Sequence, residues 1–89
     1  IQGGHHSMTH FLIESPHTKQ DCAMIVKETM AIGYLTHFYW GCKTDDHRAW
    51  AIIEAENEKE ALLSVPSLLR GKSKAIQIVQ FDPKEVQMW

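Results

Sequence analysis

Arginine is scarce in this chain. Arg48 and Arg70 are the only two among 89 residues, and 9 Lys and Arg stand against 11 Asp and Glu for a net charge of −2. No basic stripe can be drawn, so a nucleic-acid partner is not expected, because phosphate contacts need clustered positive charge. No apolar run is long enough to cross a bilayer, which argues against a membrane protein. Two cysteines, Cys22 and Cys42, are too few for a disulfide framework, and their spacing is neither a CxxC pair nor a zinc-finger knuckle. With no signal peptide visible, the expected location is cytoplasmic, where two thiols stay free or bind metal. Walker-type and dinucleotide-type glycine patterns are missing, as are internal repeats and low-complexity tracts.

The opening IQGGHHS does not resemble a natural start. Residues 1–7 read as an expression-tag remnant, with Met8 as the native start and residues 8–89 as a single domain; His5 and His6 are therefore set aside. The roughly eighty residues left can bury only a thin core, and such a domain gains from pairing with a copy of itself.

The stretch Thr36 to Glu56, THFYWGCKTDDHRAWAIIEAE, organises the rest. Two aromatic and β-branched runs flank a polar turn at Lys43-Thr44-Asp45-Asp46, where short carboxylates favour turn formation. A four-residue loop sets Cys42 opposite His47, Trp40 opposite Ala49 and Phe38 opposite Ala51. Before this hairpin, Thr9 to Ser15 alternates as a strand, with Phe11 and Ile13 on one face. Thr18 and Asp21 suggest a capping box opening a helix that ends near Ile32 at Gly33, with Cys22, Ile25, Val26, Thr29 and Met30 on its buried side. After the hairpin, Asn57 and Glu60 suggest a second capped helix, broken at Pro66. Lys74 to Phe81 is the fourth strand, with Ile76 and Ile78 assigned to the helix-covered face, and a short tail follows Pro83.

The order β-α-β-β-α-β is the ferredoxin-like pattern, an α+β fold with antiparallel sheet order 4-1-3-2 and both helices on one side. The other face then carries His10, Leu12, Glu14, His37, Tyr39, Trp50, Ile52, Glu54, Gln77, Val79 and Phe81. It is too apolar to lie bare, and a second copy is expected to cover it as a dimer or higher homo-oligomer.

Chemistry concentrates at one end of this sheet. The topology brings His17, Cys22, Cys42 and His47 there from distant sequence positions. Thiolate and imidazole together suit zinc, nickel or copper. Cys42 and His47 are the leading candidate metal ligands, followed by His17 and Cys22. The same Cys42–His47 pair could serve as an activated nucleophile, although no oxyanion donors are identifiable. A separate reading places a pocket on the open face, with His10 or His37 as a base and Glu14, Tyr39 or Glu54 as its partner toward a small-molecule ligand. A structural or interaction module without a ligand is the third reading.

Several segments carry a family resemblance: the HTxxxC-like start at His17 to Cys22, WGC at Trp40 to Cys42, DH at Asp46-His47, AIIEAE at Ala51 to Glu56, VPSLLR at Val65 to Arg70 and F-x-P at Phe81 to Pro83. On these the chain resembles a family of small, uncharacterised bacterial and archaeal ferredoxin-like proteins, similar in architecture to the dimeric α/β-barrel superfamily. That superfamily includes monooxygenase-like, muconolactone-isomerase-like, chlorite-dismutase-like and small nickel-binding members. The resemblance implies the fold, the dimeric barrel and, through the nickel-binding members, a histidine-containing metal site. It assigns no catalytic residue, since one fold hosts many chemistries.

Overall fold

The computed structural model describes residues 9–89. The tag remnant and the start at Met8 lie outside the described residues. The strands are β1 (Thr9–Pro16), β2 (Tyr39–Trp40), β3 (Arg48–Ala55) and β4 (Lys74–Ile78). The helices are α1 (Cys22–Ala31), α2 (Glu58–Ala61) and α3 (Pro83–Gln87). The first six elements after the start of β1 follow the ferredoxin-like order, and the antiparallel sheet runs β2-β3-β1-β4.

The sheet is open. Its edges, β2 and β4, are separated by β3 and β1, and no pairing joins them. This overturns the dimeric α/β-barrel type implied by the family resemblance. A closed barrel needs its edge strands to pair around the circuit, whereas here one edge is a two-residue strand and the other has five residues. The ferredoxin-like topology stands without the barrel.

The core follows from alternation along β1 and β3. Phe11, Ile13, Ala51 and Ile53 are buried on the helix-covered face, together with Ile25 of α1, Phe38, Val65 and Leu69. Antiparallel partners share a face. The register sets Phe11 opposite Gln77 and Ile13 opposite Ala75, and it sets Leu12 opposite Ile76 and His10 opposite Ile78. Ile76 and Ile78 therefore lie on the open face, and Gln77 lies on the helix side. This is the reverse of the sequence expectation, because a one-residue choice of register flips a whole strand.

Local signals account for the helix ends. The Thr18 side chain accepts a bond from the Asp21 amide, and the turn Lys19–Asp21 leads into α1. The reciprocal half of a capping box is not formed there. Gly33 takes φ +87°, while the Gly33 amide bonds Met30 and the Tyr34 amide bonds Thr29. That pair of bonds is a Schellman ending, which glycine allows without strain. On α1 only Ile25 and Thr29 are buried; Met30 is exposed, and Cys22 and Val26 are half-buried.

The second helix is shorter than its capping signal suggests. Asn57 accepts the Glu60 amide at 2.8 Å, yet α2 covers only four residues before tightening into a 3₁₀ turn at Leu62–Ser64. Pro66 is the cause. Its ring pushes the preceding residue out of helical geometry, and Val65 is extended at φ −102°, ψ 139°. A second 3₁₀ turn, Ser67–Leu69, then buries Leu69 and delivers the chain to β4.

Candidate metal centre

The end of the sheet where β1 finishes and β3 begins is built by backbone bonds. The His17 amide donates to the His47 carbonyl at 3.0 Å, which fastens the β1–α1 junction to the first residues after the hairpin turn. The hairpin register is the one its turn implies: Trp40 opposes Ala49 and Tyr39 opposes Trp50. Cys42 does not continue the ladder against His47. Instead it opens a 3₁₀ turn, Cys42–Thr44, closed by Asp45 in left-handed geometry at φ 65°.

Gly41 makes this turn possible. Its carbonyl accepts the amides of Thr44 and Asp46, each at 3.0 Å, and the Thr44 hydroxyl at 3.0 Å. A side chain at this position would collide with the Asp46 carbonyl and crowd the Trp50 ring. Only glycine permits that approach.

The result is convergence. One ligand-capable atom from each of His17, Cys22, Cys42 and His47 lies within 4.8 Å of the others. The cluster can coordinate a metal ion. Four chain segments supply it: the end of β1, the first residue of α1, the hairpin turn and the approach to β3. For tetrahedral zinc, bond lengths of about 2.0–2.3 Å imply ligand-to-ligand edges of roughly 3.3–3.8 Å, so a small contraction brings four such donors into coordination range.

His17 Nε2 lies 3.1 Å from Cys42 Sγ. The His17 and His47 rings meet edge-on with centroids 5.9 Å apart, and Trp40 closes another side at 6.2 Å from His17. His17 is only 9% exposed. Among the described residues, three buried side-chain polar atoms have no hydrogen-bond partner, and two of them are Nδ1 of His17 and Nδ1 of His47. The third, Trp40 Nε1, belongs to the ring that flanks His17. Buried polar atoms are rarely left unpaired, so their concentration beside two thiols marks this end of the molecule.

Electrostatics agree with the geometry. Burial, reinforced by repulsion from His47 and partly opposed by Asp21, lowers the His17 pKa below its usual 6.5. The imidazole is kept neutral, the form that binds metal. Burial and the neighbouring Cys22 thiol push Cys42 up from 9.0 to about 11, so the metal-free thiol keeps its proton. A metal ion reverses that preference by taking the thiolate directly.

The turn's carboxylates have separate tasks. Asp45 Oδ1 lies 3.2 Å from His47 Nε2. Asp46 takes a two-point contact from Arg48, with Nε at 2.8 Å and Nη2 at 2.6 Å, which holds the Asp46 carboxyl below its usual range. The sequence pairs either aspartate with His47 equally well; the left-handed turn decides for Asp45. The role of Gly41 was not anticipated, although a glycine immediately before a candidate ligand is the signal that could have found it.

The open-face candidates are arranged differently. His10 faces Glu54 across the register, with Nε2 to Oε1 at 3.2 Å. Glu14 accepts from Trp50 Nε1 at 3.4 Å and lies 3.6 Å from Arg48, whose guanidinium stacks 5.0 Å above the Trp50 ring. His37 packs against Tyr34 with centroids 5.0 Å apart. His10 lines a groove of about 490 Å³ with Ile52 and Ile78, whereas His37 and Tyr39 line a different one. Glu54 meets His37 only in a third hollow. None of these hollows gathers all five residues.

Comparison with known proteins adds no relative: no family model matches the chain, and neither curated proteins nor solved structures give a match. No helix is long and apolar enough to cross a membrane among the described residues.

Proposed function

We propose that this protein binds a single transition-metal ion, zinc by preference, through Cys22, Cys42, His17 and His47. The observation that carries this reading is the four-donor cluster, whose two imidazoles each also have one buried nitrogen without a partner. Two thiolates and two neutral imidazoles match the donor set of a closed, tetrahedral structural site, and two thiolates neutralise a divalent ion. Copper(I) and nickel share the soft donors; zinc has the least geometric demand. Nε2 of His17, already beside Cys42 Sγ, is the donor from that ring. Asp45 occupies Nε2 of His47, which leaves Nδ1 for the metal. The ion would tie the β1–α1 junction to the hairpin turn and close that edge of the fold. The thiol chemistry suits a reducing compartment such as the cytoplasm.

The test is elemental analysis of protein lacking residues 1–7, purified without nickel resin, beside the Cys42→Ser and His47→Ala variants. One equivalent of metal in the parent and loss of stoichiometric binding in both variants is the expected result. Unchanged binding in both would discard the site.

The same protein is proposed to self-associate through its open sheet face. Tyr39 is 79% exposed and Ile52 61% exposed, with Ile76 also bare. The polar groups among them already have partners within the chain, His10 with Glu54 and Glu14 with Arg48, so a second copy would bury few unpartnered polar groups. Solution mass by light scattering tests this. A dimer or higher species is expected, and a concentration-independent monomer would remove the proposal.

A further inference from the structure

Cys22 and Cys42 are both free and half-buried, neither sealed in the core nor fully bare. Their sulfurs belong to one cluster in which no two ligand atoms are more than 4.8 Å apart. A disulfide needs its sulfurs at about 2.05 Å, a closure of roughly 3 Å at most. Neither residue is locked against that movement by sheet pairing. Cys42 lies beyond the last hairpin pair, Trp40 with Ala49, and Cys22 is the first residue of α1.

We propose that Cys22 and Cys42 form a reversible dithiol–disulfide pair, oxidised by hydroperoxides, whose closure withdraws two of the four metal donors and releases the ion. This concerns regulation of the site read above as a metal centre, and its release step rests on that reading; the thiol chemistry does not.

With hydrogen peroxide, one cysteine gives up its thiol proton and, as the thiolate, attacks a peroxide oxygen, breaking the O–O bond and leaving a sulfenic acid and hydroxide. The second thiolate attacks that sulfenic sulfur, forms the S–S bond and expels a second hydroxide. Two protons convert both hydroxides to water. The two sulfurs have together lost two electrons, and one peroxide has been reduced to two waters. His17 and His47 then remain as two imidazoles, short of the four donors that a closed zinc site uses. A dithiol reductant returns the pair to thiols by exchange.

The experiment treats the full chain with one equivalent of hydrogen peroxide, once stripped of metal and once loaded with one equivalent of zinc. Intact mass and peptide mapping follow the cysteines, and a colorimetric chelator follows free zinc. Expected are a mass loss of two hydrogens, a peptide pair joined through Cys22 and Cys42, reversal by dithiothreitol, and one zinc released per disulfide formed. Cys22→Ser should abolish the link, because Cys42 then has no second thiol in reach. Oxygen addition without an internal link in the parent, or links only between chains, would overturn the proposal. Zinc staying bound after the disulfide closes would overturn the release step. Failure of the metal reading looks different: the stripped protein forms the disulfide, yet the chelator finds the added zinc free before any peroxide is present.

Discussion

Two regions of this molecule carry histidines beside acidic or thiol groups, and they contrast in how those groups are satisfied. On the open sheet face, His10 meets Glu54, and Glu14 meets Trp50 and Arg48. These partners stand directly across the register or beside it, and solvent reaches His10 and Glu54 freely. At the hairpin end, His17 and His47 turn buried nitrogens toward no partner while two thiols stand beside them. A polar group that is already paired gives little reason to look for a ligand, whereas two thiols and two imidazoles converging from distant chain positions, with a buried nitrogen of each ring left unpartnered, do. The contrast separates a site from a surface without reference to any relative.

The largest expected effect breaks the contrast at the hairpin end. Zinc at a thousand times its dissociation constant should stabilise the protein by about 4 kcal/mol. For a domain of this size that is a rise of roughly 15 °C or more in melting temperature. Cys42→Ser should lose that rise, and weaken zinc by more than the roughly 100-fold typical of changes outside the ligand set. His10→Ala should keep the whole rise, since it removes only an exposed contact with Glu54 worth about 0–1 kcal/mol. Calorimetric melts of the three proteins with and without zinc check this.

A smaller effect sharpens the same contrast through the scaffold. Gly41→Ala forces its new methyl against the Asp46 carbonyl, and overpacking of this kind costs about 1–3 kcal/mol. Denaturant midpoints should fall in the metal-free protein, and zinc affinity should fall with them because Cys42 and His47 flank the distorted turn. Asp45→Asn should be milder. The carboxylate is exposed and asparagine tolerates left-handed geometry, so folding should hold, while zinc binding weakens by about 10-fold through the loss of the group that orients His47. Competition titration against a chromophoric chelator reads both.

The pH dependence follows from two opposed shifts. His17 titrates below its usual 6.5 when folded, so the unfolded chain takes up that proton first, and stability falls as pH drops below 6.5. Cys42 titrates at about 11 instead of 9.0, so the folded chain holds that proton harder. Its contribution is complete below 9 and is lost as pH rises through about 11. Metal-free protein should therefore be most stable between those limits. Zinc should remove the alkaline loss, because the bound thiolate no longer has a proton to lose, and should steepen the acid loss, because protons compete for four donors. Urea unfolding across pH, with and without zinc, reveals whether the two arms respond in that way.

The least costly change tests the other region. Ile52→Lys lies on the exposed face, and its effect on the stability of a single chain should stay within about 0.5 kcal/mol. If a second copy covers that face, the solution mass should nevertheless drop to that of one chain.

Much of this architecture was legible because local signals agreed with the global pattern. The turn at Lys43 to Asp46 set the hairpin register, Gly33 ended the helix, and Pro66 broke the second one. The strand order then brought His17 and Cys22 to the end that carries Cys42 and His47, although twenty or more residues separate the two pairs at their closest. What escaped the sequence depended on one-residue choices. In AIQIVQF, both alternating sets look apolar enough to be buried, so nothing local places Ile76 and Ile78 on the open face; only pairing with Leu12 and His10 does. The length of the second helix was hidden likewise, since Asn57 signals a start but not how soon Pro66 takes effect. The barrel came from resemblance alone, and the two-residue β2 at the sheet edge removes it.

The most direct test of the central claim is a zinc titration of protein lacking residues 1–7, followed by native mass spectrometry beside Cys42→Ser. The account predicts one zinc per chain, with the cysteine protons displaced on binding, and no stoichiometric zinc in the variant. A parent chain that stays metal-free with excess zinc, or a variant that keeps its full equivalent, would contradict it.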